Sequence, residues 1–235
     1  MQAVLLSAGE GSRLSPLTSY IPKPLLPLAG KPLLARIMGG PMHTSEVGDP
    51  IIIVALDEFR DQFEYCLERW KEHVQLFTFP KPAGTAGELL RLSEYLKDEF
   101  LVYYADIWTE INLGRLIATW RRNPRVAIAC LAVANRLKVD KGVAVLSGGR
   151  PPAEGMRTIK EIREKPDLEI PNLAGIGIFK KRILKYARAG EDLNATTVPA
   201  ALASGEKVLA YPFAEGYWDI GSLSAFKQAQ TRFNK

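Results

Sequence analysis

Short apolar runs alternate with segments of helical periodicity through the first half of the chain. The runs are short and bounded by turn residues, which predicts buried strands at QAVLLSA, DPIIIVAL, VQLFTF, EFLVYYAD and RVAIACLAVA. Apolar residues recur at helical spacing in PLLARIMGG, EFRDQFEYCLERWKEH, GTAGELLRLSEYLKD and NLGRLIATWRRN. Strands that alternate with helices predict an α/β fold with a doubly wound, mostly parallel, Rossmann-like sheet.

The pattern becomes less regular from about residue 135. KGVAVLSGGR, MRTIKEIREKP and LAGIGIF are short strand-like segments separated by turn residues. Helices are predicted over 180–189 and 194–204, and the segments KVLAYPF and GYWDIGSLSAFKQAQ follow them. We therefore predict a single domain over residues 1–235, in which a small mixed-sheet region is added to the larger sheet.

The composition restricts the classes of function. The chain has 235 residues, of which 47% are hydrophobic and 24% are charged. It contains no apolar run of about 18 residues and no basic leader, so neither a membrane span nor a secretion signal is expected. Its two cysteines, Cys66 and Cys130, lie in apolar patterns and are predicted to be core residues. Two cysteines do not form a disulfide framework, which favours the reducing cytoplasm.

The charge of the chain is only mildly positive. A formal net charge of +5 can attract phosphate-bearing ligands, but no run of basic residues predicts a nucleic-acid surface. The two histidines, His43 and His73, are isolated in the sequence. Neither a zinc site nor a histidine-dependent triad is therefore expected.

The segment LLSAGEGSR follows the first predicted strand, at the kind of place where ligands bind in open α/β sheets. Gly9 and Gly11 allow the backbone to approach a ligand closely, and successive N–H groups there can bind an anion. Arg13 adds a fork of donors suited to phosphate oxygens. Leu14 stands where the dinucleotide fingerprint GxGxxG needs its third glycine, and no P-loop motif is present.

The longer stretch AGEGSRLSPLT…PKPLLPLAGKP resembles the signature of the sugar-1-phosphate nucleotidylyltransferases, also called nucleoside-diphosphate-sugar pyrophosphorylases. Lys23 lies between two prolines that restrict its backbone, which suits a fixed cation that stabilises developing negative charge. The resemblance implies a glycosyltransferase-A-like nucleotidyltransferase fold of the short type, without an appended left-handed β-helix. It also implies a nucleotide-binding half over residues 1–134 and a sugar-phosphate-binding half over 135–235.

KPAGTAGELL resembles the family element that contacts the nucleoside. Phe79 stands five positions before Gly84, where the family usually has a glutamine that reads the base edge. A phenyl ring can stack on a base but cannot hydrogen-bond to it, so the choice of base stays open. Taken with the glycine-rich loop, the resemblance implies a set of nucleotide-binding residues at Ala8, Gly9, Gly11, Ser12, Arg13, Lys23, Phe79, Gly84 and Thr85.

FLVYYADIWTEINL and GYWDIGS resemble the two family elements that carry metal-binding aspartates. The resemblance implies that Asp106 and Asp219 bind Mg²⁺, an ion that takes one or two carboxylates together with substrate phosphates. Ala105 and Glu110 stand where the family pattern has a glycine and a second acid. The catalytic residues that the resemblance implies are Arg13, Lys23, Asp106 and Asp219.

Segments of the second half resemble sugar-binding elements. Gly142 in KGVAV resembles the glycine that lies against the sugar. In REKP, the resemblance implies that Glu164 accepts bonds from sugar hydroxyls and that Lys165 holds the sugar phosphate. In LAGIGIF, Leu173 occupies the position of a family asparagine and Gly177 replaces an aromatic residue, so sugar contacts there stay open.

The resemblance implies that an NTP and a sugar 1-phosphate give an NDP-sugar and pyrophosphate, with Mg²⁺ as cofactor. GTP with mannose 1-phosphate and dTTP or UTP with glucose 1-phosphate are the leading substrate pairs. Two alternatives stay open: a cytidylyltransferase or cofactor guanylyltransferase with a related glycine loop, and a catalytically silent, regulatory homologue that binds nucleotide-sugars. Members of the family often form dimers or tetramers, so a homo-oligomer is also open, whereas nucleic-acid and membrane partners are not expected.

Overall fold

The computed structural model describes residues 1–123, 127–139, 141–147 and 158–233. Its strands are β1 Gln2–Leu6, β2 Pro27–Leu28, β3 Lys31–Pro32, β4 Gly48–Leu56, β5 Val74–Phe79, β6 Glu99–Tyr104, β7 Ile107–Thr109, β8 Ala129–Ala134, β9 Leu137–Lys138, β10 Val143–Leu146, β11 Ile159–Arg163, β12 Asp167–Leu168, β13 Asn172–Lys180, β14 Val208–Phe213 and β15 Tyr217–Asp219. Its α-helices are α1 Leu33–Gly39, α2 Arg60–Leu67, α3 Gly84–Arg91, α4 Leu113–Arg122, α5 Val198–Ala203 and α6 Leu223–Phe233.

A seven-stranded sheet forms the centre of the structure, in the order β14-β8-β13-β6-β1-β4-β5. Its strands pair in parallel except β13, which runs antiparallel to both of its neighbours, β6 and β8. The mostly parallel α/β sheet predicted from the sequence is confirmed. The interior strands are buried on both faces, as their unbroken apolar runs predict; Val4, Ile53 and Leu101 have no exposed surface.

Two helices are shorter than the periodicity predicts. α2 is flanked by 3-10 turns at Asp57–Phe59 and Glu68–Trp70. α3 ends at Arg91, seven residues before its predicted end. The buried side chain of Gln2 explains this end, because its amide donates to the Tyr95 carbonyl and accepts from the Lys97 N–H. These long-range bonds hold the backbone in turns, and the local pattern does not reveal them.

The segments near residues 180–204 also differ from the prediction. The first predicted helix is a 3-10 helix at Lys181–Tyr186, and the second begins as a π-helical turn at Leu193–Thr197 before α5. The Asp192 side chain caps that turn by accepting bonds from the N–H groups of Asn194 and Ala195. The turn lies beside the amino end of α3, where it helps to shape the cleft described below.

The second half contributes to the central sheet as well as to smaller ones. β13, which contains LAGIGIF, lies between β6 and β8 instead of joining the small mixed-sheet region, because its apolar residues are buried. The smaller sheets are antiparallel pairs: β2–β3, β7–β15, β9–β12 and β10–β11. Within the described ranges, no helix combines the length and apolar character that a bilayer crossing requires.

Candidate active site

A cleft opens at the carboxyl ends of β1 and β6, where open α/β sheets bind ligands. Its volume is about 610 Å³, including the solvent-filled space at its opening. Its walls come from the glycine-rich loop, the Lys23 segment, the start of α3 and the end of β6, and the lining residues are Leu6, Ser7, Ala8, Gly9, Lys23, Pro24, Pro82, Gly84, Thr85, Glu88, Tyr104 and Asp106. Four separate parts of the predicted site therefore converge.

The glycine-rich loop is fixed by a contact with the proline-containing segment that follows it. Gly11 has φ +69° and precedes a 3-10 turn at Ser12–Leu14. A side chain at Gly11 would begin 2.8 Å from the Thr18 methyl group, and the Thr18 hydroxyl donates to the Gly11 carbonyl at 2.9 Å. The loop thus needs glycine for both its dihedral angle and its packing. Ser12 and Arg13 are exposed beside it.

Lys23 and Asp106 form an ion pair inside the cleft. Lys23 starts a 3-10 turn at Lys23–Leu25, and its Nζ donates to Asp106 Oδ2 at 3.1 Å. The side chains are 14% and 27% exposed, so both charges are partly withdrawn from water. Asp106 lies just beyond the end of β6, as predicted. The pair joins Lys23, from the proline-containing segment after the glycine-rich loop, to Asp106, which follows β6.

Asp219 lies at a backbone position adjoining Asp106. β15 pairs antiparallel with β7, so that Asp219 is opposite Ile107, and the Ile220 N–H donates to the Asp106 carbonyl at 2.9 Å. Burial raises the pKa of the Tyr217 phenol, and the negative charges of Asp219 and Asp106 raise it further. The pairing of β7 with β15 thus brings the backbones of the two aspartates together.

The Arg13 side chain lies near Asp219, the last residue of β15, which precedes α6. A methyl group built on Gly221 would lie 2.7 Å from Asp219 Oδ1 and 2.9 Å from Arg13 Nη2. Asp219 Oδ1 also accepts from the Gly221 N–H at 2.7 Å. The small residue thus leaves room for the guanidinium and the carboxylate on either side of it.

The donor chemistry of Asp106 and Asp219 fits Mg²⁺, which binds through one or two carboxylates and completes its shell with phosphates and water. Across the described ranges, no group of three or more His, Cys, Asp or Glu side chains could hold a metal. The other ligands would therefore come from substrate and water. Glu110 occupies the position of the family's second acid and is exposed near Gly216. It follows the last residue of β7, whereas Asp106 precedes the first, so the two acids lie at opposite ends of that strand.

Gly84 and Thr85 form the cleft wall at the start of α3 and are bound tightly to the segment before α5. Gly84 has φ +70° and packs against the backbone of Glu191. The Thr85 hydroxyl donates to Asp192 Oδ2 at 2.9 Å and accepts from the Leu193 N–H at 2.7 Å. These residues line the cleft as predicted, but the polar group of Thr85 is already engaged within the protein.

Phe79 does not line the cleft. It ends β5, and the Arg91 guanidinium covers one face of its ring at 4.7 Å from the centroid. The residue that the sequence reasoning missed is Glu88, which lines the cleft and is 3% exposed. The feature of the sequence that could have indicated it is a single charged residue within GTAGELL, a run of otherwise small and apolar residues.

Hydrogen bonds partly offset the burial of Glu88. Its Oε1 accepts from the Ala83 N–H at 2.7 Å, and Arg91 Nη1 lies 3.3 Å from both carboxylate oxygens. Burial raises the pKa of Glu88, while the Ala83 N–H and the Arg91 charge act in the opposite direction. Burial leaves a carboxylate dependent on such donors, because it has almost no contact with water.

The predicted sugar-binding residues lie together where β10 begins and β11 ends, and none of them lines the cleft. A side chain at Gly142 would begin 3.1 Å from Glu164 Oε2. Lys165 is exposed and has φ +46°, a conformation that costs energy for a residue with a side chain and that recurs at functional sites. Leu173 is 46% exposed, and the Asn172 amide donates to backbone carbonyls.

The sheet, the glycine-rich loop and the ion pair at the carboxyl ends of the strands define a protein of the nucleotidyltransferase fold. The structure of HddC from Yersinia pseudotuberculosis has the same fold, with a TM-score of 0.72, 20% identity and 99% of each chain covered. The sequence model of the nucleotidyl transferase family matches residues 2–235, and the chain belongs to this family. The membership predicted from the sequence is thereby confirmed.

Two curated relatives match nearly all of this chain but only part of their own length. The chain is 31% identical over 232 residues to the bifunctional protein GlmU of Methanocaldococcus jannaschii, covering 94% of this chain and 51% of that protein. It is 28% identical over 246 residues to mannose-1-phosphate guanylyltransferase of Mycobacterium tuberculosis, covering 96% of this chain and 62% of that protein. The described residues include no left-handed β-helix.

Proposed function

We propose that this chain is a sugar-phosphate nucleotidyltransferase, which converts an NTP and a sugar 1-phosphate into an NDP-sugar and pyrophosphate. The observation that carries the proposal is the Lys23–Asp106 pair in the cleft, with Asp219 at an adjoining backbone position. Cations and acids of this kind suit a reaction between two phosphate groups, which requires charge neutralisation. The name of the mycobacterial relative, a mannose-1-phosphate guanylyltransferase, supports the same class of reaction.

The chemistry needs no general base. The attacking group is an oxygen of the sugar phosphate, which is already an anion near neutral pH because the second phosphate pKa is about 6. It attacks the α-phosphorus in line, the new P–O bond forms, and the bond to pyrophosphate breaks. The protein has to orient two anions that repel each other and stabilise the charge on the transferred group.

Three cationic side chains bind different phosphate groups in the proposed reaction. Lys23 has three N–H donors, and Asp106 takes one, which leaves donors for oxygens of the α-phosphate. Arg13, exposed beside Asp219, binds the departing pyrophosphate. Lys165 holds the sugar phosphate, and its strained backbone favours a functional role. When bound by Asp106 and Asp219, Mg²⁺ would screen the repulsion between the reactants.

The two halves of the chain bind different substrates in this reaction. Residues 1–134 carry the cleft for the nucleotide, and residues 135–235 supply Gly142, Glu164 and Lys165 for the sugar phosphate. We place the reaction in the cytoplasm, because Cys66 and Cys130 are both free thiols, which suits a reducing compartment.

The test is a matrix of GTP, UTP, dTTP, CTP and ATP against several sugar 1-phosphates, with Mg²⁺ present and pyrophosphate release as the signal. We expect release that requires both substrates and yields the matching NDP-sugar. Lys23→Met should lower kcat by about 100-fold or more, by analogy with the loss of other electrostatic donors. Lys31→Met is the matched control, since Lys31 is an exposed lysine of the same segment. Nucleotide binding without pyrophosphate release for any pair would refute the proposed reaction and favour a silent homologue.

A further inference from the structure

Glu88 is a buried acid in the wall of the cleft. Among the side chains that the structure describes, it is the one charged group that is buried, with 3% of its surface exposed. It lies on the first turns of α3 and lines the cleft together with Gly84 and Thr85. Burial of an ionisable group is costly unless other groups compensate it, and Arg91 is the ion-pair partner of Glu88.

The bonds within the protein leave Glu88 incompletely satisfied. Oε1 receives the Ala83 N–H at 2.7 Å, whereas Oε2 receives only Arg91 Nη1 at 3.3 Å. The same Nη1 donates more closely to the Lys81 carbonyl, at 2.8 Å. A carboxylate accepts about four hydrogen bonds, so Oε2 retains the capacity to accept a bond from a ligand.

The hydroxyl groups of the cleft wall near Glu88 are already engaged within the protein. The Tyr104 hydroxyl donates to Thr85 and accepts from the Asn194 amide. The Thr85 hydroxyl is engaged with Asp192 and Leu193. Phe79 carries no polar atom, and Arg91 covers one of its faces. Glu88 is therefore the side chain of this wall that is able to select a base. Because a carboxylate only accepts hydrogen bonds, it favours a base that presents hydrogen-bond donors.

We infer that Glu88 is a specificity residue that reads the nucleobase and selects guanine. Guanine presents two adjacent donors, N1–H and the 2-amino group, to a carboxylate. Uracil and thymine present a single N–H between two carbonyl oxygens, which a carboxylate repels. Adenine and cytosine present an amino group next to a ring nitrogen that accepts. This inference rests on the proposed function, whose nucleotide substrate it specifies.

The expected size of the selection follows from the charge and burial of Glu88. A hydrogen bond to a charged group changes affinity by about tenfold to a hundredfold. Inosine triphosphate keeps the N1–H but lacks the 2-amino group, so it should bind about tenfold more weakly than GTP. UTP and dTTP should bind about a hundredfold more weakly than GTP or worse.

The test measures the dissociation constants of GTP, inosine triphosphate, UTP, dTTP, CTP and ATP by calorimetry. In wild-type protein we expect GTP to bind most tightly and inosine triphosphate to be intermediate. Glu88→Gln places an amide where the carboxylate was, and the ratio of UTP to GTP dissociation constants should fall by at least about tenfold. Glu94→Gln removes the same charge at an exposed position just after α3 and should leave that ratio unchanged.

The outcomes separate this inference from the proposed function. A purely structural Glu88 would weaken all nucleotides by the same factor on substitution, which would overturn the inference. Tighter binding of any other NTP than of GTP by wild-type protein would also overturn it, even if Glu88→Gln failed to fold. Pyrophosphate release with that other NTP would leave the proposed function intact. Selective GTP binding without release for any sugar phosphate would support the inference and refute the function, and no NTP binding would overturn both.

Discussion

Gly84 provides a sharp test of how the cleft wall is built. Its φ of +70° is a left-handed conformation that costs a residue with a side chain about 1–2 kcal/mol. In Gly84→Ala the new methyl group would also lie 2.9 Å from the Gly190 carbonyl carbon and closer still to the Glu191 carbonyl oxygen. Because these are backbone atoms, relief requires the segment before Asp192 to move.

Overpacking of this kind costs about 1–3 kcal/mol. Together with the dihedral cost, we expect Gly84→Ala to lower the free energy of unfolding by about 2–5 kcal/mol, a large part of a typical 5–15 kcal/mol. Urea unfolding at 25 °C measures the change.

Gly205→Ala is the matched control for Gly84→Ala. Gly205 has φ +81°, and no heavy atom lies within 4 Å of the position that its side chain would take. The control should therefore lose only the dihedral cost of about 1–2 kcal/mol. Equal losses in the two variants would refute the packing of α3 against residues 190–193, and with it the described shape of this wall.

Two further predictions concern the core and the carboxyl-terminal helix. Burial raises the pKa of the Cys130 thiol to about 11, so at pH 8 an aromatic disulfide reagent should label Cys130 only after unfolding in urea; labelling in the native state would contradict the burial. Gln230 on α6 accepts from the Ala29 N–H at 2.9 Å and donates to the Pro27 carbonyl, which fixes the turn between β2 and β3. Gln230→Ala should therefore cost about 1–2 kcal/mol in urea unfolding, and an unchanged midpoint would show that α6 does not support this turn.

The strands and the position of Asp106 were predictable because they depend on local patterns. VQLFTF is bounded by turn residues and forms β5 from Val74 to Phe79, with the predicted ends. Asp106 follows an apolar run directly, so the end of that run predicted its place at the carboxyl end of β6. Asp219 could be assigned only through the family resemblance, because its pairing with β7 joins segments more than a hundred residues apart.

The features that the sequence did not predict depend on contacts between distant segments. α3 stops at Arg91 because the Gln2 side chain binds the backbone near Tyr95 and Lys97. The hydrophobic pattern of residues 92–98 does not predict that contact. The burial of Glu88 was not predictable for a similar reason, since it depends on the whole cleft wall rather than on its neighbours in sequence.

In the proposed reaction, Asp106 and Asp219 would together hold one Mg²⁺ at the site of nucleotidyl transfer. The most direct test is a double-mutant cycle that compares kcat at saturating Mg²⁺ for wild type, Asp106→Asn, Asp219→Asn and the double variant. We predict that each single change lowers kcat by about 100-fold or more and that the double variant loses no more than the worse single variant. Multiplicative losses, or turnover within a few fold of wild type in either single variant, would contradict the shared site.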